Sequence, residues 1–366
     1  MPLTNVDGQR LGDSVGEKLG NRNLIINGAM QVAQRGTSSS TITTYATVDR
    51  FRLKNANTDQ LAGTQEQSTT APTGFSNSYK FDITTAETAI AADEYFSVRH
   101  AVEAQNLQHL EYNTSGAKAV TLSFWVRSHV TGTYAVGITN SDPNRNIAKT
   151  YSISSADTWE HKTVTFPGDT AGANPNNDNG VGFMFDWYLA AGSNYTSSDG
   201  SSWGAFAENR RAYGHTANAI GTTGGFYITG VQLEVGNTAT PFEHRSYGDE
   251  LERCQRYFEL ISNEGDTRGA FGNGYCESTS TAAGYIYFKT KKRAAPTVTR
   301  SSTVGDFNFL HTSSSMAASA LTFDNQTTTS CQFNFTSSGT PFTDGNGGVL
   351  TAFNSNTSTI SISAEL

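Results

Sequence analysis

Strict alternation of apolar and polar side chains is the feature that most restricts how this sequence can fold. Between residues 119 and 127 every second side chain is apolar, namely Val120, Leu122, Phe124 and Val126. The pattern recurs in Thr133–Thr139 and again at Val181, Phe183, Phe185, Trp187 and Leu189. Because successive side chains of a strand point to opposite faces, this period predicts antiparallel strands with one face on a core.

Composition and spacing indicate the class of β fold. Only 16% of the 366 residues are charged and 11% are aromatic, which is typical of a folded chain rich in strands rather than of a disordered one. Strands separated by turn residues every ~8–12 positions predict a sandwich or barrel. Long polar loops between the strands favour an antiparallel jelly-roll β-sandwich.

One strand carries a change of phase. Phe226 and Ile228 share one phase, whereas Val231, Leu233 and Val235 share the other, and the change falls at Gly230. An inserted residue is a β-bulge, and glycine tolerates its backbone. The sequence therefore predicts a bulge at Gly230 that turns all five apolar side chains toward one core.

The chain is long enough for two or three domains. Residues 1–22 carry apolar residues spaced by four but also four glycines, so they are either a frayed terminus or a peptide that anchors the chain to an assembly. The predicted jelly roll spans residues 23–246, a connecting helix spans 247–264, and a smaller C-terminal β-domain spans 265–366. The helix is indicated by Ser246 at its N-cap and by an apolar stripe of Leu251, Cys254, Tyr257, Phe258 and Ile261.

Charge and cysteine usage exclude several classes of function. The net charge is -8, and the best basic run, Lys289–Arg293, is too short for a nucleic-acid surface, so it is interpreted as a solvated strand end. No apolar stretch is long enough to span a membrane, and no secretory signal is present. Cys254, Cys276 and Cys331 fit neither a disulfide framework nor a zinc site, and they are expected to be small buried residues or free thiols.

Several short motifs resemble those of bacteriophage tail-fibre and virion appendage proteins. They are Asn23–Met30 with Gln34–Gly36, Val48–Phe51, Thr121–Ser128, Ala156–Glu160, Ile228–Gly236, Thr240–Tyr247 and Cys254–Tyr257. Together they occur in the expected order over about residues 23–258. The resemblance implies a jelly roll of carbohydrate-binding-module type on a virus particle, usually in homotrimeric appendages. It further implies attachment to other virion proteins through the N-terminal segment, assembly in the host cytoplasm and contact with host surface polysaccharide.

No motif of a hydrolase, metalloprotease or nucleotide-binding loop is present, so we expect no enzymatic activity. A glycan depolymerase needs two carboxylates that face one groove. Asp186, Asp199 and Glu208 are the nearest candidates, and nothing in their spacing makes them converge. The Asn174–Gly180 loop, with Asp169, offers oxygens but not the regular spacing of a calcium loop, and no metal or cofactor is predicted.

The best candidate for a glycan-binding surface is the long loop from Ala190 to Thr223. The candidate residues are Tyr195, Trp203, Arg210, Arg211 and Tyr213. Aromatic faces can stack on sugars while polar side chains pair with the hydroxyls. The alternative is that these side chains pin a long loop to the sandwich, because a structureless loop of this length is unusual. That alternative is the favoured one.

Three functions remain open from the sequence. The first is a phage appendage protein that contacts the host surface. The second is a capsid decoration or head-fibre protein with a purely structural role, and the third is a glycan-depolymerising tailspike. An exposed aromatic groove without paired carboxylates would favour the first of these.

Overall fold

The structure is a computed structural model that describes residues 22–263, 268–301, 303–311, 314–352 and 357–366. The predicted anchoring segment therefore lies outside the described residues except for Arg22. The chain divides into two compact units, Met1–Glu250 and Leu251–Leu366. Both units are built mainly from antiparallel strands, so the prediction of a mostly β protein is confirmed.

The first unit contains the strands β1 Ser38–Ser39, β2 Phe51–Ala56, β3 Ala62–Ser68, β4 Ser78–Thr85, β5 Tyr95–Glu103, β6 Val120–Ser128, β7 Gly132–Asn140, β8 Arg145–Ile153, β9 Glu160–Phe166, β10 Val181–Ala191, β11 Gly204–Ala205 and β12 Gly224–Val235. Helix α1, Ser193–Thr196, and the 3₁₀ turns Ala104–Leu110 and Glu208–Arg210 lie between strands.

These strands form two six-stranded antiparallel sheets. Sheet 1 has the order β1-β3-β4-β12-β6-β9, and sheet 2 has the order β11-β8-β7-β10-β5-β2. The chain passes repeatedly from one sheet to the other, as from β4 to β5 and from β5 to β6, which is the connectivity of a jelly roll.

The sandwich core lies between the faces that the sequence alternation identified. The four alternating apolar residues of β6, Val120, Leu122, Phe124 and Val126, are fully buried, and so are Phe183, Phe185, Trp187 and Leu189 of β10. These side chains belong to one continuous apolar cluster drawn from both sheets. The alternation thus predicted the buried face of each strand.

The predicted bulge is present in β12. The register against β6 shifts between Thr229 and Gln232, and Gly230 has φ +59°, a left-handed conformation that favours glycine. Phe226, Ile228, Val231 and Leu233 are fully buried, whereas Val235 is 39% exposed at the strand end. Four of the five predicted residues therefore reach the core.

The connecting helix is shorter than the sequence predicted. Helix α2 runs from Tyr247 to Gln255, with Asp249 N–H donating to Ser246 Oγ over 3.2 Å at its start. The expected continuation to residue 264 is wrong, because Phe258–Ser262 forms a strand, β13, that pairs with β21, Thr359–Ser363. Long-range pairing overrides the helical spacing of Phe258 and Ile261. No helix of the described chain is long and apolar enough to cross a membrane.

The second unit combines a closed barrel with a small sheet. The barrel has the strands β14 Ala270–Cys276, β15 Thr281–Tyr287, β17 Phe307–His311, β18 Ser314–Asp324, β19 Ser330–Ser337 and β20 Gly347–Ala352, in the order β14-β15-β19-β18-β17-β20. The small sheet pairs β21 with β13 and with β16 Thr297–Arg300, and a 3₁₀ turn spans Val304–Asp306. All three cysteines are buried, as expected, and none of them forms a disulfide within the described chain.

The basic run of the second unit is not simply a solvated strand end. Lys292 is fully buried, and its ammonium donates to Glu259 Oε2 and to the carbonyl of Gln255, each over 2.6 Å. Glu259 is fully buried as well. The interpretation of the run as wholly solvated is therefore wrong for this residue, which forms a buried ion pair.

Candidate functional site

The long loop proposed from the sequence crosses the outer face of sheet 2, where Arg211 anchors it. The Arg211 guanidinium lies 3.2 Å from Asp186 Oδ2 and 2.8 Å from Glu208 Oε2, and its own side chain is buried. Asp186 is held in turn by Arg99, at 2.8 Å, and by the Ser97 hydroxyl. The two arginines lower the pKa of Asp186 to about 2 despite its burial, so this carboxylate is ionised and fully paired.

Arg210 and Tyr195 also form hydrogen bonds that hold the loop. Arg210 donates to the carbonyls of Asp199, Ser202 and Ala205, which tie the loop to itself. The Tyr195 hydroxyl donates to the carbonyl of Asp93 over 3.1 Å. These hydrogen bonds occupy the Arg210 guanidinium and the Tyr195 hydroxyl, the groups that would otherwise bind a sugar.

Trp203 is the second aromatic anchor. Its Nε1–H donates to the carbonyl of Pro167 over 2.7 Å, and its ring packs on those of Tyr112 and Phe183, with centroid distances of 5.8 and 6.2 Å. Four of the five candidates thus hold the loop in place, in agreement with the favoured alternative. Only Tyr213 lines an open depression, of about 440 Å³, together with Lys149, Thr150 and Thr216.

A different pocket lies on the outer face of sheet 1, at the bulge of β12. Its volume is about 480 Å³, and it brings together the rings of Phe75, Trp125, His161, Phe242 and His244. Trp125 occupies the solvent-facing phase of β6, opposite His161 of β9 in the antiparallel register. The two rings lie 5.2 Å apart. This set, with Ser123, Thr240 and Gly230, is the Trp125 pocket.

Gly230 determines the floor of the Trp125 pocket. A β-carbon at this position would lie 2.7 Å from Phe75 Cζ and 3.0 Å from Trp125 Cδ1. The bare glycine backbone therefore lets these two rings approach it. Phe75 also packs edge-on against Phe242, with ring centroids 5.0 Å apart. The bulge that keeps β12 in phase with the core thus also shapes the outer surface.

Polar groups border the rings. Thr240 is held by Glu234, whose Oε2 accepts from Thr240 N–H over 2.9 Å. Partial burial lowers the pKa of His161, so its imidazole is neutral at pH 7 and can donate or accept a hydrogen bond. Ser123 adds a hydroxyl beside Trp125. The pocket therefore combines half-buried aromatic surface with uncharged hydrogen-bonding groups.

The same face carries further aromatic residues beside the pocket. Tyr227 pairs with Arg127 across β12 and β6, and the guanidinium lies 5.0 Å from the centre of the Tyr227 ring. Trp159 contacts Tyr227 edge-on at 6.0 Å. Arg127 follows Trp125 by two residues on β6, so both side chains lie on the same face of sheet 1. The Tyr227 ring beside Arg127, and the Trp159 ring that contacts it, therefore extend the aromatic surface along the strand direction.

The acidic residues considered as catalytic candidates are each bound by other groups of the chain, and Asp186 and Glu208 share the Arg211 guanidinium. Asp186 is paired with two arginines, Glu208 binds Arg211, and Asp199 accepts from Ser201 N–H over 2.8 Å. Of the residues that the structure describes, no aspartate or glutamate lines the Trp125 pocket. Asp169 of the loop weighed for calcium is bound bidentately by Arg145.

One group of carboxylates could hold a metal ion. Oxygens of Asp59, Glu87 and Glu94 lie within 4.8 Å of one another, and both glutamates are buried. Oxygen ligands of this kind suit a hard divalent cation such as Ca²⁺.

The sequence contained a signal for the Trp125 pocket. Trp125 stands in the polar phase of a strand whose other phase forms the core, so its indole had to face solvent. The local sequence pattern could not predict that Phe75 and Phe242, which lie in distant loops, also line this pocket.

No protein-family model matches the sequence, and no curated protein matches it. The resemblance to phage appendage proteins therefore stays a prediction. Solved structures similar to the chain include the enzymatically active domain of tailspike protein 4 from bacteriophage CBA120, at 12% identity and a TM-score of 0.31. That alignment covers 58% of this chain and 21% of the tailspike chain, so the chain spans about a fifth of that protein's length.

Carbohydrate-binding modules are also similar in structure. A family 4 module is 12% identical, with a TM-score of 0.28 over 57% of this chain and 97% of the module. The family 11 module of a Clostridium thermocellum cellulase is 8% identical, with a TM-score of 0.28 over 56% of this chain and 98% of the module.

Proposed function

We propose that this chain binds a glycan in the Trp125 pocket, without cleaving it, as a component of a phage appendage that contacts the host surface. The observation that carries the binding proposal is the half-buried Trp125 ring on the outer face of sheet 1, set among aromatic neighbours and hydroxyl groups.

The chemistry of the pocket suits a sugar ring. One face of many pyranose rings presents C–H groups, whose partial positive charge is attracted to the negative face of an indole. The hydroxyls at the rim of the same ring need hydrogen-bonding partners, which Ser123, Thr240 and His161 can supply. The bulge and the strand pairing hold Trp125 in position before a ligand binds, so little side-chain entropy is lost on binding.

The lining of the pocket supports the proposal of binding without cleavage. Glycoside hydrolysis by the usual mechanisms requires two carboxyl groups roughly 5–9.5 Å apart on either side of the scissile bond. The described lining of the Trp125 pocket supplies none. A depolymerising tailspike is therefore the weaker proposal for this site.

The placement on a phage particle is supported by the motif resemblance alone, and a homotrimer is proposed on the same ground. Labelling of intact particles with an antibody against this chain is expected to mark tail appendages; label confined to the capsid would favour the decoration role instead. Mass measurement in solution is expected to give three copies, and a stable monomer would contradict the trimer.

The binding proposal is tested with a glycan array, followed by titration of each positive glycan. Trp125→Ala is expected to weaken binding by at least about tenfold, equivalent to about 1.4 kcal/mol, and Trp125→Phe is expected to retain part of the affinity. Tyr247→Ala is the matched control, because Tyr247 is 57% exposed and lies outside the pocket. Equal affinity of wild type and Trp125→Ala, or no binding to any glycan, would overturn the proposal.

A further inference from the structure

Three exposed tyrosines lie on neighbouring strands of the second unit. Tyr275 of β14 is 51% exposed, and Tyr285 and Tyr287 of β15 are 48% and 76% exposed. Asn273 is the register partner of Tyr285. Tyr275 follows Asn273 by two residues on β14, so Tyr275 lies diagonally across from Tyr285 on the same outward face. We call this set, with Asn273, Gln332 and Asn334, the tyrosine platform.

The structure gives two of these rings no partner. Neither the Tyr285 side chain nor the Tyr287 side chain makes a hydrogen bond or ring contact with the described residues. The Tyr275 hydroxyl lies 3.5 Å from Glu277 Oε1. Tyr285 and Tyr287 remain in water although the alternate residues of β15, namely Ala282, Gly284 and Ile286, are buried. Large aromatic side chains in this position point to a binding surface rather than to a role in stability.

Amide groups border the rings in fixed orientations. Gln332 of β19 is the register partner of Tyr285, and its Nε2 donates to Asn334 Oδ1 over 3.0 Å. Asn334 donates in turn to Asp324 Oδ2 over 2.6 Å. This chain of hydrogen bonds holds the amides in place beside the rings. Amides offer both a donor and an acceptor, which matches adjacent sugar hydroxyls.

The charged residues in and around the tyrosine platform indicate which class of ligand it can bind. No outward-facing residue of β14, β15 or β19 within the described chain is charged. The carboxylates of Glu277 and Asp324 contact the platform at its edges. These carboxylates would repel an anionic polymer, and strands β14, β15 and β19 themselves supply no cation to offset the repulsion.

Size argues against a second protein chain as the occupant. The platform is three strands wide and spans residues 283–287 of β15, on the order of 10 Å by 14 Å between Cα atoms. A stable protein interface takes about 800 Å² from each partner. The platform is smaller than that area, and its dimensions are comparable to a short stretch of sugar rings.

We propose that the tyrosine platform is a second binding site, for an uncharged glycan chain, in the second unit. The ring faces would stack on the sugars, and Asn273, Gln332 and Asn334 would bind hydroxyl groups. This site shares only the class of ligand with the proposed function, and its operation does not require the Trp125 pocket.

The test is affinity electrophoresis of the full chain in native gels that contain one polysaccharide each. The probes are dextran, mannan, a mixed-linkage β-glucan and a galactan, with alginate as the anionic comparison. Trp125→Ala removes the first site in all samples. Tyr285→Thr with Tyr287→Thr removes two of the three platform rings but keeps β-branched strand residues, and Tyr247→Ala is the matched control.

We expect at least one neutral polysaccharide to retard Trp125→Ala, and the added tyrosine replacements to abolish that retardation while alginate has no effect. Retardation that survives the tyrosine replacements would overturn the platform. So would the absence of retardation of Trp125→Ala by every neutral probe; if wild type is still retarded, the proposed function stands alone.

Tryptophan fluorescence separates the two sites independently. All four tryptophans, Trp125, Trp159, Trp187 and Trp203, belong to the first unit. A ligand of the platform is expected to leave their emission unchanged, whereas a ligand of the Trp125 pocket is expected to shift it. A platform ligand that shifts the emission even in Trp125→Ala, and still does so after the tyrosine replacements, would contradict the assignment.

Discussion

Gly230 approaches Trp125 so closely that a β-carbon on residue 230 would lie 3.0 Å from Trp125 Cδ1. The same residue has φ +59° and absorbs the register shift of β12. Gly230 therefore has two structural roles. It keeps Val231 and Leu233 in phase with the core, and it leaves space for an aromatic pocket on the opposite face of the sheet.

Replacing Gly230 by alanine is expected to cost both stability and binding. The left-handed backbone alone costs a non-glycine residue about 1–2 kcal/mol, and the new methyl group displaces Phe75 and Trp125. Urea unfolding and glycan titration measure the two effects. Gly236→Ala is the control, because Gly236 also has positive φ but has no atom within 4 Å of its β-carbon position. Wild-type affinity in Gly230→Ala would show that the ring positions do not depend on this glycine.

Arg211 is expected to determine how firmly the loop 190–223 is held. Arg211→Met leaves Asp186 with Arg99 as its sole guanidinium partner and removes one link from the loop to sheet 2. We expect a loss of about 3 kcal/mol, the lower end for breaking a buried pair, together with faster limited proteolysis within the loop. Arg210→Met is the comparison, since Arg210 binds only backbone carbonyls of the same loop. Equal effects of the two replacements would contradict the role of Asp186.

Buried histidines predict a loss of stability in mild acid. His215 is buried, and its Nδ1 accepts from Ala135 N–H; burial lowers its pKa from 6.5 to about 4. Burial also lowers the pKa of His100 well below its usual value. The folded state therefore holds both rings neutral while the unfolded chain takes up protons below pH 6.5, so stability falls as the pH falls from there.

His215→Asn tests this pH dependence. Asparagine keeps an acceptor for Ala135 N–H but does not titrate. The variant is expected to lose stability less steeply between pH 6.5 and about 4, by up to about 1.4 kcal/mol per pH unit, the slope for one proton. Denaturant unfolding at several pH values measures it. An unchanged slope would mean that His215 does not titrate on unfolding.

The buried Lys292–Glu259 pair is expected to behave as a unit. Glu259→Gln leaves a fully buried ammonium without its carboxylate, which costs about 3–5 kcal/mol. Adding Lys292→Met should restore part of the loss, because it removes the unpaired charge. Hydrogen exchange of β13 and β21 reports the effect within the second unit. Additive losses in the double variant would argue against direct coupling.

Much of the fold was predictable because side-chain alternation is local. The inward faces of β6, β7 and β10, the bulge at Gly230 and the N-cap at Ser246 all follow from neighbouring residues. Trp125 was also locally determined, since its phase on β6 placed it in solvent. The end of α2 was not, because Phe258 and Ile261 fit helical spacing, and only the pairing of Phe258–Ser262 with β21 makes this segment a strand.

The sequence by itself determined which residues face the core and which aromatic rings remain outside it, because strand periodicity depends only on adjacent positions. Tertiary structure decided what those outer rings meet. Phe75 reaches Trp125 from a separate loop, Arg211 reaches Asp186 across sheet 2, and Lys292 reaches Glu259 inside the second unit. Each contact joins residues at least 25 positions apart, and local spacing carries no information about such partners.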